Sequence, residues 1–186
     1  MAFTFESTPI PDLIIIHSQL FGDERGFFLE SYKRSDFGDH GITAEFHQDN
    51  HSMSSRGVLR GLHFQRSPMD QAKLVRVVCG AVWDVAVDLR PNSETFKKWF
   101  GTELSGENGH IVYIPSGFAH GFVTLEDKTH FLYKCTVEYS PEHERGIRYD
   151  DPEIGVSWPI SDVVVSDRDM KWPLLSEYEQ PPFHHL

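Results

Sequence analysis

The chain has 186 residues, 39% hydrophobic and 24% charged, and its 17 Lys plus Arg against 28 Asp plus Glu give a net charge of −11. That length and composition suit one globular domain with a sizeable core, and so much negative charge argues against non-specific nucleic-acid binding and against docking on anionic membranes. No apolar run approaches the roughly 20 residues of a membrane span, Leu13–Ile16 is too short for the apolar stretch of a signal peptide and follows an acidic start, and Cys79 and Cys135, each inside an apolar run, read as buried free thiols of a cytoplasmic protein.

In chain order, the first predicted strand is Leu13–His17, and Gly26–Tyr32 follows the Gly22-Asp23 turn. Ser35–His40 has room for a helical turn or two; Glu45–His51 and Gly57–Gln65 read as further strands. Leu74–Val82 and Trp83–Leu89 are Val-rich. In the second, Trp83, Val85, Val87 and Leu89 share one parity and Asp84, Ala86 and Asp88 the other, the alternation of a half-buried strand. Past Pro91-Asn92, Ser93–Phe100 is the second short helix candidate, and Gly106–Gly109 is another turn. His110–Ile114 and Gly121–Leu125 flank a turn at Pro115-Ser116-Gly117. Phe131, Tyr133, Cys135, Val137 and Tyr139 share one face of a later strand, with Lys134, Thr136 and Glu138 opposite. From Asp151 the chain is irregular and Pro-rich, with Pro152, Pro159, Pro173, Pro181 and Pro182. Short strands with Gly and Pro turns, thin helix, no repeat and no linker predict a mainly β sandwich, barrel or jelly roll, a single domain over residues 1–186.

Two histidine motifs sit on these strands. Gly109, five residues, the Pro115-Ser116-Gly117 turn and His120 resemble the second motif of the cupin superfamily, with Thr124 where an Asn is usual. Gly57, five residues and His63 resemble the start of the first motif. Gln65, however, stands where a second His would complete a metal site, and Lys73, seven residues before Gly80, stands where the motif has a Glu ligand. A cupin metal site resembles three His and one carboxylate around a transition-metal ion. An ammonium repels a divalent cation and an amide is a poor ligand, so the expected pocket holds no metal, and Lys73 supplies the positive charge instead. A lone strand His or a lone Pro-x-Gly turn would carry little; the joint spacing of Gly57, His63, Lys73, Gly80, Gly109, Pro115, Gly117 and His120 carries the reading.

Five segments narrow the resemblance. Arg25–Glu30, Gln48–Ser52, Gly57–Gln65, Asp84–Arg90 and Tyr113–Phe122 are similar to the dTDP-4-dehydrorhamnose 3,5-epimerase family, and the likeness runs from about Ile10 to Leu175. It implies a cupin-type double-stranded β-helix, or jelly roll, that needs no cofactor. The implied substrate is dTDP-4-keto-6-deoxy-D-glucose, inverted at C3 and C5. Both protons lie α to the C4 ketone, so removing one gives an enolate and reprotonation from the opposite face inverts the carbon. That chemistry requires a base, an acid on the other face and a cation at the enolate oxygen. His63 is the candidate base, since imidazole has the unperturbed pKa nearest neutrality. The resemblance pairs it with Asp169, makes Tyr133 the general acid, sets Lys73 at the enolate oxygen and puts His120 in the same pocket.

At the nucleotide end the resemblance implies Arg25 and Arg60 near the diphosphate, where guanidinium forks suit phosphate. Glu30, Gln48, Asp49, Asn50 and Glu144 are implied as polar binding positions, and Tyr139 as an aromatic stacked on thymine. Tyr133 and Tyr139 share parity, so one strand is expected to serve both sugar and base. Arg168 stands where the family commonly has Lys; it keeps the charge and can still grip phosphate, with altered geometry. Strict alternation puts Arg60 and His63 on opposite faces unless Gly61 permits a bulge. Cys79, Cys135, His184 and His185 read as structural or tail residues.

The resemblance further implies a homodimer in which an N-terminal segment with Arg25 and Glu30 reaches the neighbour's site. An exchanged edge strand would also cover an otherwise adhesive edge. Three other readings stay open: an epimerase acting at C3 or C5 alone, which carries the same His, Lys and Tyr; a metal-dependent cupin enzyme; and a sugar-binding cupin without catalysis.

Overall fold

Two antiparallel sheets face each other in the computed structural model, which describes residues 2–178 and Phe183. Pro181, Pro182, His184 and His185 lie outside the described residues. The strands are β1 (Phe3–Ser7), β2 (Ile14–Ser18), β3 (Phe21–Asp23), β4 (Gly26–Phe28), β5 (Gln48–Ser54), β6 (Val58–Gln65) and β7 (Lys73–Cys79). They continue with β8 (Ala81–Asp88), β9 (Trp99–Ser105), β10 (His110–Ile114), β11 (Phe118–Thr124), β12 (Thr129–Cys135), β13 (Glu144–Gly146) and β14 (Val164–Val165). A short helix, α1 (Arg34–Asp39), lies between β4 and β5. The first sheet runs β1-β2-β10-β7-β12-β5 and the second β13-β6-β11-β8-β9, with β14 beside β6 and β3-β4 a separate hairpin. From β6 to β12 the chain passes repeatedly from one sheet to the other, the winding of a cupin-type jelly roll.

The core follows from strand parity. Val75, Val77, Val112 and Phe131 of the first sheet meet Val82, Ala86, Leu104 and Phe122 of the second. Both outer faces are covered as well. Phe37 of α1 and Ile42 pack on Ile16, Leu74 and Ile111 of the first sheet. The irregular C-terminal segment lays Ile147, Ile154, Leu175 and Phe183 over Leu62, Phe64, Val85 and Val87 of the second.

That second cover corrects the half-buried reading of Trp83–Leu89. Asp84 and Asp88 are buried at 2% and 0% exposure, because their side of β8 faces the interior rather than water. Asp88 is satisfied there by Arg90 Nε at 3.0 Å, Ser93 Oγ at 2.6 Å and Thr95 Oγ1 at 2.7 Å. These bonds shape residues 93–98 into turns, so Ser93–Phe100 is not helical and β9 starts at Trp99. The expected strand Leu74–Val82 breaks at Gly80, where φ is +77° and a Cβ would meet Thr129. There the chain crosses between sheets. Cys79, just before the crossing, is exposed rather than buried, whereas Cys135 is buried. Gly26–Tyr32 stops pairing at Phe28, and Phe118, not Gly121, begins β11.

Candidate active site

Alternation on five strands aims polar side chains into the space between the sheets at one end. β7 contributes Lys73, β12 contributes Tyr133 and Cys135, β5 contributes Gln48, Asn50 and Ser52, β6 contributes His63 and β11 contributes His120. They line two adjoining cavities of about 300 and 240 Å³, which share His63, Lys73, Tyr133 and Glu144. Clefts of that size hold small ligands, and a concave site between strands is where they are expected.

Arg60 and His63 do share a face. On β11, His120 pairs with His63 and Phe122 with Arg60, so three steps of β6 oppose two of β11. The extra residue is a bulge at Gly61, with φ +130°. A Cβ there would lie 2.5 Å from Gly121 Cα and 2.9 Å from the His120 carbonyl oxygen, so only glycine fits.

His63 Nε2 lies 2.7 Å from Asp169 Oδ1. Asp169, 4% exposed, is the first residue of a short helical turn, Asp169–Lys171; its backbone N–H donates to Ser166 Oγ at 3.0 Å. Its carboxylate also accepts from Gly61 N at 3.4 Å and Trp172 Nε1 at 3.3 Å. Burial pushes this carboxyl upward, but the bonds from His63, Gly61 and Trp172 outweigh burial and hold it below the usual carboxylate range. An ionised Asp169 fixes the orientation of the imidazole ring.

Burial drives the Lys73 ammonium below the usual lysine range, while Cys135, Asp84 and Glu144 push it back. Lys73 forms no salt bridge among the described residues. Burial also raises the Tyr133 phenol, which keeps it protonated and able to donate. His120, 7% exposed, bonds through Nε2 to Asp84 Oδ2 at 2.8 Å, a second buried His–Asp pair behind the cavity wall.

The binding residues divide. Gln48 and Asn50 face inward and are bonded to each other at 2.9 Å, and Gln48 Oε1 accepts from Tyr139 N at 2.7 Å. Asp49 has the opposite parity: it pairs with Lys134 at 2.9 Å on the outer face, away from the cavity. Arg60 and Arg168 line the larger cavity, and Glu144 joins Arg168 to the Tyr139 hydroxyl. Tyr139 is off the strand, because β12 ends at Cys135. It still shares a cavity with Tyr133, since the segment carrying it is pinned by Gln48 and Gln65. Arg25 is 84% exposed at its side chain, on the β3–β4 hairpin, and pairs with Asp23. Neither it nor Glu30 lines either cavity.

The cupin metal positions do not fit a divalent ion. Gln65 is 3% exposed and spends its amide on the backbone: Nε2 donates to Met69 O at 2.7 Å and Glu138 O at 3.3 Å, and Oε1 accepts from Ser140 N at 2.6 Å. Lys73 puts a cation where a carboxylate would be needed. Sequence reasoning passed over Gln65 as a tether and Asp84 as a buried pair; the available signal was an acid in the middle of an otherwise apolar central strand.

A profile of the dTDP-4-dehydrorhamnose 3,5-epimerase family matches residues 7–177. The chain is 49% identical over 178 residues to the dTDP-4-dehydrorhamnose 3,5-epimerase of Methanothermobacter thermautotrophicus, covering 94% of this chain and 96% of that one. With the enzyme of the same name from Escherichia coli it shares 50% over 173 residues, 91% and 93% of the two chains. The crystal structure of the Legionella pneumophila dTDP-6-deoxy-D-glucose-3,5-epimerase in complex with dTDP-4-keto-L-rhamnose superposes with a TM-score of 0.94 at 46% identity, over 99% of this chain and 100% of that one.

Proposed function

The chain belongs to the dTDP-4-dehydrorhamnose 3,5-epimerase family, and from that premise we propose that it inverts C3 and C5 of dTDP-4-keto-6-deoxy-D-glucose, yielding dTDP-4-dehydro-L-rhamnose for dTDP-L-rhamnose synthesis. The observation that carries the reading is the convergence of His63 on Asp169, Lys73 and Tyr133 around one cavity. His63, held by Asp169, removes the proton α to the ketone. The enolate oxygen takes the negative charge beside the Lys73 ammonium, and the Tyr133 phenol delivers a proton to the other face. At each carbon one proton leaves and one returns and the substrate's own ketone takes the charge between, so no electron acceptor is required; His63 ends protonated and Tyr133 ionised, and proton exchange with water resets both. Arg60, Arg168, Gln48, Asn50 and Tyr139 take the nucleotide end, and His120 lines the sugar pocket.

Proton NMR of the substrate with enzyme in heavy water tests the reading. Loss of both the C3 and C5 signals is expected. Loss at one carbon alone would make the protein a mono-epimerase, and activity that needed added metal would restore the metal-dependent reading. The Tyr133→Phe variant is expected to keep exchanging substrate protons while forming product about 10²-fold or more slowly, because the base remains and the opposite-face donor is gone. Unchanged rate and stereochemistry would remove Tyr133 from the mechanism.

The proposal includes a homodimer. The β3–β4 hairpin exposes Phe21, Phe27 and Phe28 at 50–65%, beside Arg25, and β5, which carries Gln48 and Asn50, is an unpaired sheet edge. A second copy's hairpin laid against that edge would bury the three aromatics and bring Arg25 and Glu30 to the site. Arg25→Ala is expected to raise KM at least tenfold, the worth of one charge-assisted bond. Mixed with His63→Ala, it should recover activity beyond the sum of the two, through hybrid dimers with one complete site; no recovery would refute the exchange. A cytoplasmic location goes with this reading, supported by Cys79 and Cys135, which form no disulfide.

A further inference from the structure

The cavity and its wall hold three cations, Arg60, Lys73 and Arg168, and three carboxylates, Asp84, Glu144 and Asp169. Two of the carboxylates are committed. Glu144 is bonded to Arg168 and the Tyr139 hydroxyl, and Asp169 has three hydrogen-bond partners, His63, Gly61 N and Trp172 Nε1. Asp84 is 2% exposed, and its one side-chain partner among the described residues is His120. A neutral imidazole donates a hydrogen bond without cancelling charge, and burial drives His120 toward its neutral form despite the opposing pull of Asp84. Asp84 therefore has one hydrogen-bond donor and no cation bonded to it in a buried wall, and Lys73, with no salt bridge among the described residues, lines the same cavity as the His120 that holds Asp84. An isolated buried charge is expensive, and an opposite one nearby offsets that cost.

We propose that Asp84 is a positioning residue for the epimerisation: its carboxylate, fixed by His120, is the counter-charge that keeps Lys73 an ammonium at the enolate oxygen. This rests on the reading of Lys73 given above. The other ionisable groups that share a cavity with Lys73 are Cys135 and Tyr133 of β12, Arg60 and His63 of β6, Glu144 of β13, and Tyr139, Arg168 and Asp169. Cys135 also favours the ammonium, but burial raises its thiol, as it raises the Tyr133 phenol, so neither holds a negative charge as readily as a carboxylate does. Glu144 is held by its arginine, and an ionised His63 would repel the ammonium rather than stabilise it.

The sign of the effect follows. Removing the negative charge makes Lys73 lose its proton at lower pH, so activity fails on the basic side first and returns on the acidic side. The experiment is kcat from about pH 6 to about pH 9, with folding checked by circular dichroism, for the parent, Asp84→Asn, Asp84→Glu and His120→Gln. Asp84→Asn is expected to fall behind the parent by up to about tenfold per pH unit on the basic side, one proton's worth, and to approach it at the acidic end. Asp84→Glu should restore the parent's basic limb. His120→Gln, whose amide can still donate to Asp84, should lose rate without moving that limb. A deficit in Asp84→Asn that is the same at every pH would overturn the proposal. Should that variant not fold, a basic limb in His120→Gln shifted to lower pH, or one not recovered in Asp84→Glu, would overturn it equally. Lys73→Met separates the two levels: if it exchanged protons normally, the role of Lys73 would fall and this proposal with it. If it were inactive while Asp84→Asn showed no pH dependence, only the role of Asp84 would fall.

Discussion

Replacing His63 by alanine is expected to abolish deuterium uptake at both C3 and C5, with turnover reduced by about 10²–10⁴-fold, the range for loss of a general base. Two features of the site give this outcome. One imidazole alone in the shared cavity is both held by a carboxylate and open to the sugar pocket: His63 is bonded to Asp169 at 2.7 Å, whereas His120 is turned back into the wall against Asp84. A single base also serves both carbons, since each proton lies α to the same ketone. The variant should therefore lose the two exchanges together. Loss at one carbon with the other intact would mean that a second base exists. Near-normal exchange at both would show the wrong residue has been assigned. The fold should survive, because His63 is 30% exposed at its side chain and its strand is held by β11 on one side and by β13 on the other.

Much of the fold is legible from punctuation. β10 has the predicted limits, His110–Ile114, because Gly109 and Pro115 bound it and both end a strand for backbone reasons. Elements without such bounds are less legible. β13 and β14 are three and two residues long and form only because the C-terminal segment lies along β6. The run past Cys135 keeps its alternation in sequence but leaves the sheet, since Gln65 and Gln48 draw its backbone toward their own amides. In both cases a tertiary contact, invisible locally, decides.

The site shows the same division. Spacing singles out His63, Lys73 and His120 and the family resemblance adds Tyr133, and the chain brings all four to one cavity. Parity also explains Asp49: between inward Gln48 and Asn50 it must face out. Asp84 was hidden because an alternating polar residue usually marks water, and nothing local distinguishes water from a polar cavity. Arg25 and Glu30 lie apart from both cavities in a single chain, and the hairpin exchange proposed above is what would bring them to the site.

The Lys73→Met variant is expected to lose proton exchange at both carbons, by about 10²–10³-fold in kcat, while its melting temperature stays close to the parent's. Both outcomes follow from the loss of the ammonium. Burial is the largest influence on the Lys73 proton, so removing the ammonium relieves a desolvation cost, but it also leaves Asp84 without the counter-charge assigned to it above, and the two changes oppose each other in stability. Methionine is unbranched and of similar reach and fills the same slot between β10 and β12 without that cost. What it cannot do is meet the negative charge that develops on the C4 oxygen. Removal of one preorganised donor to such an oxyanion typically costs 10²–10³-fold. The ketone of the bound substrate carries little of that charge, so KM should change less than kcat. Lys73→Arg should not rescue the rate, because a planar fork needs more room than an ammonium in a wall already shared with Cys135 and His120. A destabilised Met variant with reduced activity would point to a packing role. A stable Met variant with the parent's kcat would take the cation out of the mechanism and leave enolate stabilisation to other donors in the cavity.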